Sequence, residues 1–174
     1  KRKLKFTSNS VASFARSVGY STVNKQSEKN VSNTLNLSEA LSLSYSSGWF
    51  YAQLRGNVRL TQTKYSLSTS QRQEAYVYRL AYNTQITLPY SFVFSSDITY
   101  TANRGLTVGY NKDEVMWNAQ LSKQILKGNK GSIRLDVADI LQQRLTLRHT
   151  VNSNYYQDTE YNSLESYVML SFAY

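Results

Sequence analysis

Four arginines carry most of the ligand-holding chemistry in this sequence: Arg55, Arg59, Arg79 and Arg134. Each falls on the polar phase of a stretch in which apolar and polar residues alternate, so all four are expected on one face of a sheet. A guanidinium is a rigid fork of donors that matches a carboxylate or phosphate bidentately. Lining a water-filled interior, such a cluster attracts an anionic solute or pairs with the carboxylates of an inserted domain. The plainer alternative is that these residues are solvated, or bridge to Asp97 and Asp136.

Other reactive constellations are absent from the sequence. There is no Cys, hence no thiolate site or disulfide framework, and the single His149 excludes a histidine metal cluster. No Gly-x-Ser-x-Gly elbow, phosphate-binding loop or dinucleotide fingerprint occurs. Two carboxylate pairs remain. Asp136 and Asp139 read as a structural element, a bulge that re-aims its strand; Asp113 and Glu114 open a strand beside a loop. Neither suits an acid–base pair. No catalytic, metal or cofactor site is expected, and the chain is read as a non-enzyme.

The elements that position the arginines are strands. Leu35, Leu37, Leu41, Leu43 and Tyr45 alternate with Asn36, Ser38, Ala40, Ser42 and Ser44, interrupted only by Glu39. The same period recurs at Phe50–Leu60, Tyr76–Leu88, Phe92–Tyr100, Val115–Ile125, Ile133–Val137 and Val168–Tyr174, with a less regular first segment holding Leu4, Phe6, Ala12 and Phe14 on one face. Strands are expected at 4–18, 33–46, 49–62, 74–88, 91–102, 113–127, 131–150 and 163–174. Most run to about 11–15 residues, against about 5–6 in soluble sheets and about 9–11 for a strand that crosses a bilayer.

The expected connections alternate in length. Tight turns fall at Ser46-Ser47-Gly48, Leu88-Pro89-Tyr90-Ser91 and Lys127-Gly128-Asn129-Lys130-Gly131; longer polar loops fall at 19–32, 62–73, 102–112 and 152–162. Short turns in the periplasm and long loops outside are the asymmetry of a transmembrane barrel, and place both ends of the chain on the periplasmic side. Tyr45, Trp49, Phe50, Tyr51, Tyr90, Phe92, Tyr100, Tyr110 and Trp117 cluster near strand ends, as interfacial girdles do.

Composition agrees. The 174 residues include 15 Tyr and one Pro. Mean hydropathy is −0.48 and the longest apolar runs are only a few residues, too short for a helix that spans lipid but natural for strands with one face in lipid and one in water. A net charge of +9 invites a nucleic-acid reading. That reading needs aromatics and cations on one face, and here they segregate to opposite faces. The basic start, Lys1-Arg2-Lys3-Leu4-Lys5, lacks the apolar stretch of a signal peptide, so an exported chain is expected to have been made with more residues ahead of it.

The C-terminal part, over about Tyr78–Tyr174, resembles a known family. Trp117-Asn118-Ala119-Gln120-Leu121-Ser122-Lys123, then Asp136-Val137-Ala138-Asp139-Ile140-Leu141-Gln142-Gln143-Arg144, Asp158-Thr159 and Tyr167-Val168-Met169-Leu170-Ser171-Phe172-Ala173-Tyr174 are similar to the end of outer-membrane β-barrels related to TonB-dependent receptors. The resemblance implies the C-terminal part of a 22-stranded barrel with a plug and often a carboxypeptidase-regulatory-like domain, neither of which this sequence contains. Similar proteins continue past the final Tyr with Arg-Phe; here Tyr174, with Phe172, Leu170 and Val168 on its face, would present the aromatic end that the barrel-assembly machinery recognises.

The fold expected is therefore an all-β antiparallel transmembrane barrel, about eight strands present, in the outer membrane of a Gram-negative bacterium. The function the resemblance implies is energy-coupled uptake of a solute. Its partners would be outer-membrane lipid, lipopolysaccharide met by Lys64, Arg72, Arg104 and Lys112, the rest of the barrel, the plug, TonB through the absent part, and a surface or periplasmic protein; no nucleic acid is expected. The alternative is a complete eight-stranded barrel with a structural or partner-binding role. A soluble all-β binding domain is a third, weaker reading.

Overall fold

The computed structural model describes residues 3–23, 26–67, 73–106, 111–125, 130–144, 146–151, 156–161 and 166–174. Its strands are β1 (Lys3–Val23), β2 (Gln26–Ser46), β3 (Phe50–Tyr65), β4 (Gln73–Leu88), β5 (Phe92–Arg104), β6 (Asp113–Ile125), β7 (Gly131–Ala138), β8 (Thr146–Val151), β9 (Tyr156–Tyr161) and β10 (Tyr167–Ala173). Eight of them form one antiparallel sheet in the order β1-β2-β3-β4-β5-β6-β7-β10, and β8 and β9 form a separate hairpin. Among the described residues β1 and β10 each pair on one side only, so the sheet is not closed.

Register fixes the two faces. A single row of paired residues runs Lys3, Ser46, Tyr51, Gln85, Ser95, Gln120, Asp136, Met169 across the eight strands. The neighbouring row runs Leu4, Tyr45, Ala52, Thr84, Ser96, Ala119, Val137, Val168. Successive side chains point to opposite faces, so the first row lies on a polar face and the second on an apolar one.

The apolar face spans at least ten steps on each of the strands β1 to β6. It runs from Leu4 to Phe14 on β1, Leu35 to Tyr45 on β2, Phe50 to Leu60 on β3, Tyr76 to Ile86 on β4, Phe92 to Ala102 on β5 and Val115 to Ile125 on β6. Ten steps of about 3.3 Å make about 33 Å along a strand. At a tilt of about 40° that is about 25 Å, the height of the apolar band of an outer-membrane barrel.

Burial is inverted relative to a soluble domain. Phe6 is 64%, Leu170 73% and Phe172 64% exposed, all on the apolar face, whereas Asn30, Ser32, Thr63 and Thr101 of the polar face are buried. In water such a surface would be far larger than the apolar patch a soluble monomer tolerates.

Glu39 breaks the apolar band. Its carboxylate accepts the Ser8 hydroxyl at 2.7 Å and the Ser10 hydroxyl beside it, both from β1 on the same face. A bare carboxylate in lipid is costly; two donors from the neighbouring strand offset that cost and pin the register of β1 on β2.

Several elements depart from the alternation pattern. The loop expected at 19–32 is strand on both sides, β1 reaching Val23 and β2 starting at Gln26. The strand expected at 131–150 ends at Ala138, because Asp139 adopts φ 48° and Gln142 φ 54°, which turn the chain out of the ladder. The loop expected at 152–162 contains β9, and the last strand starts at Tyr167 rather than 163. The tight turn expected at Leu88–Ser91, by contrast, is in place: Pro89–Ser91 is one 3-10 turn with Tyr90 and Ser91 both at φ 61°. The turn expected around Lys127 falls largely on 126–129, outside the described residues.

Replacing Ser8 and Ser10 together by Ala should lower the urea midpoint of the lipid-reconstituted protein. Adding Glu39→Leu to that variant should restore it; a midpoint that stays low would mean that the carboxylate is not what the hydroxyls serve.

Candidate functional site

Among the described residues, charged and amide side chains gather in register within the band on the polar face. Arg55 pairs with Ala81, Asn57 with Arg79 and Arg59 with Val77, so Arg79 stands diagonally between the other two across β3 and β4. Such diagonal neighbours are about 7–8 Å apart, within reach of long side chains. Among the described residues, none of the three guanidiniums has a hydrogen bond or ion pair. Their neighbours satisfy one another instead: Gln53 Nε2 donates to Ser42 Oγ at 2.8 Å, Asn57 Nδ2 to Ser38 Oγ at 3.2 Å and Thr61 Oγ1 to Asn36 Oδ1 at 2.9 Å.

Arg134 shares the polar face but does not join that cluster. It lies on β7, beyond β5 and β6, and its Nε donates to Asp136 Oδ2 at 2.8 Å. Asp97 is held by Asn118, whose Nδ2 donates at 2.8 Å. Of the bridges in the plainer alternative for the arginines, the one to Asp136 forms, from Arg134, and among the described residues no arginine bridges to Asp97.

Asp139 organises the chain where β7 leaves the sheet. Its backbone N–H donates to Asn118 Oδ1 at 2.9 Å, and its buried carboxylate accepts the N–H groups of Gln143 and Arg144, each at 3.1 Å. The Ile140 N–H donates to the Trp117 carbonyl at 2.8 Å, replacing the ladder bond that β7 would have made. Asp136 and Asp139 therefore do separate structural work. The turn carries Arg144 to a groove of about 410 Å³ on the polar face, which Asp97, Gln120, Arg134, Asp136 and Tyr167 also line.

At the end of the strands away from Lys3, two ion pairs form among the described residues. Arg104 grips Asp113, with Nη2 to Oδ2 at 3.0 Å, and the Tyr100 hydroxyl donates to Asp113 at 2.9 Å. The Arg104 guanidinium first, and the Tyr100 hydroxyl second, hold the Asp113 carboxyl below its ordinary range. Lys112 Nζ bonds Glu160 of β9 at 3.0 Å. Two of the cations expected to meet lipopolysaccharide are thus engaged within the protein, while Arg72 and the side chain of His149 lie outside the described residues. Lys64 lies on the apolar-face phase just above the band, in the row of Arg16 and Asn33. At the opposite end Lys123 Nζ sits 4.6 Å from the centre of the Phe92 ring, a cation–π contact that lets its stem lie on the apolar face. Tyr76 and Tyr78 stack on that face with ring centres 6.3 Å apart.

A family comparison decides what kind of sheet this is: residues 3–174 match the model of the outer membrane protein beta-barrel family. The chain belongs to that family. Its place is accordingly the bacterial outer membrane, and the apolar band is the surface it turns to lipid. Nothing in the match points specifically to TonB-dependent receptors. No curated protein matches the barrel chain, and no solved structure does.

Alternation alone identified the polar face and its arginines. It missed Arg144, which follows a turn, and Lys3 and Lys5, which share the polar face through their pairing with Ser46 and Ser44. The parity of Leu4 and Phe6 already carried that signal.

Two measurements test the site. Asp139→Ala leaves two backbone N–H groups without their acceptor and should cost about 2–3 kcal/mol. Faster trypsin cleavage after Arg144, rescued in part by Asp139→Asn, is the expected readout. Because the Asp113 carboxyl titrates below its unfolded value, its contribution to stability is present above the ordinary carboxylate range and lost as pH falls through the lowered folded value. A carboxyl NMR titration in micelles should place Asp113 below the exposed carboxylates, and Arg104→Ala should move it up.

Proposed function

We propose that this chain forms part of the wall of an outer-membrane transport barrel of the TonB-dependent receptor type, taking up a solute with energy coupling and performing no catalysis. The observation that carries the reading is the pair of open edges on β1 and β10 in a sheet with a lipid-facing band. Unpaired backbone N–H and C=O groups cannot stand in hydrocarbon, so each edge needs a partner strand. Further strands of a larger barrel would supply both partners, and the polar face would line the lumen around a plug. Lipopolysaccharide phosphates would meet the rim at Arg16 and Lys64, and the outer turns would make first contact with solute or with a surface partner protein.

A complete eight-stranded barrel is favoured by one feature. With every pairing antiparallel, β1 and β10 run in opposite directions and would form a permitted antiparallel pair if the sheet curled shut.

The two are separated by paired cysteines. Cysteines placed one at a time along Val11–Ala15 of β1 are combined with Met169→Cys on β10 and oxidised in whole outer membranes. The receptor reading expects no β1–β10 disulfide, and solute uptake that stops when the proton gradient is collapsed. An efficient disulfide at one register would instead establish the small barrel and end the receptor reading.

A further inference from the structure

We infer that the polar face of β1–β4 is a binding track for a solute bearing carboxylate or phosphate groups; this rests on the reading of the polar face as a lumen wall. The argument is the order of charges in register. Five consecutive polar-face rows cross β1, β2, β3 and β4, spaced about 7 Å apart along the strands, two residues per step. From the outer side they hold Val11, Ser38, Arg59 and Val77; then Asn9, Ala40, Asn57 and Arg79; then Thr7, Ser42, Arg55 and Ala81; then Lys5, Ser44, Gln53 and Asn83; then Lys3, Ser46, Tyr51 and Gln85. Every row has one cation and none has a carboxylate.

The carboxylates of the polar face lie on the other half of the sheet within the same rows. Asp97 is on β5, Glu114 on β6 and Asp136 on β7, where Arg134 already neutralises Asp136. Of these, Glu114 shares the row of Arg79 but stands two strands away. Within these rows the carboxylates are therefore confined to the half that also holds Arg134, and the cations of β1–β4 stand without carboxylates interleaved among them. A wall that only needed to be wet would interleave its signs, since scattered pairs lower self-repulsion. Three guanidiniums with neutral hydroxyl and amide neighbours keep their donor forks available to an oxyanion.

The spacing favours a mobile solute over a fixed acidic segment of protein. One cation per step, continuing from mid-wall to the end where Lys3 lies, gives an anion successive sites of similar strength. Multi-site attraction of that kind permits both entry and exit. A fixed acidic segment needs its cations only where its own carboxylates stand.

The test uses the full-length protein in detergent at low ionic strength, with citrate and tripolyphosphate as probes in titration calorimetry. Saturable binding of at least one probe is expected, weakening at least tenfold in the Arg55→Gln, Arg59→Gln, Arg79→Gln triple variant and unchanged in Lys123→Gln, whose ammonium lies over the Phe92 ring on the apolar face. If the triple variant does not insert, the three single variants carry the measurement, each expected to weaken binding, with Arg79→Gln the most severe. Absence of saturable binding by the wild type overturns the inference, as does binding that survives the triple or all three single substitutions. Failure of the wild type to bind, together with cross-linking of position 79 to an acidic segment of the same protein, identifies the fixed partner instead and also overturns it. Binding needs no energy source, so anion binding without energised uptake would sink the transport reading and leave the track standing.

Discussion

Hydrocarbon offers no hydrogen bonds, and this requirement on the backbone governs the rest of the molecule. Each N–H and C=O within the band must find a partner in an adjacent strand. The ladders from β1 to β6 are continuous through the ten-step height of the apolar face, and the described turns at Ser47–Trp49 and Pro89–Ser91 lie at its margin. Where β7 leaves the sheet early, the Ile140 N–H takes over the acceptor on Trp117. The same requirement makes the open edges of β1 and β10 informative, since no side chain can satisfy a row of backbone groups.

Once the ladder is fixed, pleating forces a choice at every second residue, and two solvents impose opposite choices. The lipid side selects Leu, Phe, Tyr and Ile, tolerating Glu39 only with its two serine donors. The aqueous side tolerates unpaired arginines, because water and neutral amides carry a guanidinium at little cost. That is why Arg55, Arg59 and Arg79 can remain without counterions there, and why Arg104 and Arg134, placed beside Asp113 and Asp136, do not.

Much of this was legible in the residues. A period of two names the face of every side chain once a strand exists, so the band, the arginine face and the neighbouring strand order followed from the pattern of residues such as Leu41, Leu43 and Tyr45. The extensions of β1 and β2 were not legible. Tyr20-Ser21-Thr22 and Ser27-Glu28-Lys29 stand beyond the lipid, where neither face needs to be apolar and the alternation fades. The end of β7 was hidden for the opposite reason. Leu141, Gln142, Gln143, Arg144 and Leu145 offer no strong break, whereas the turn depends on the contact between Asp139 and Asn118, 21 residues apart. Likewise, the arginines were readable one by one. Their separation from carboxylates depends on register across several strands, which no single stretch encodes.

The unequal strand lengths shape the outer rim. β1 and β2 are each 21 residues long, and β1 continues about nine residues beyond Phe14, about 30 Å of paired backbone above the lipid. β7 and β10 pair only as far as Ala138 with Tyr167. The ladder of β1 and β2 therefore stands as a two-stranded mast, taller than the ladder that β7 and β10 form with each other. An antibody that grips this two-stranded mast would hold the molecule by a part that touches neither the lipid nor Arg55, Arg59 and Arg79.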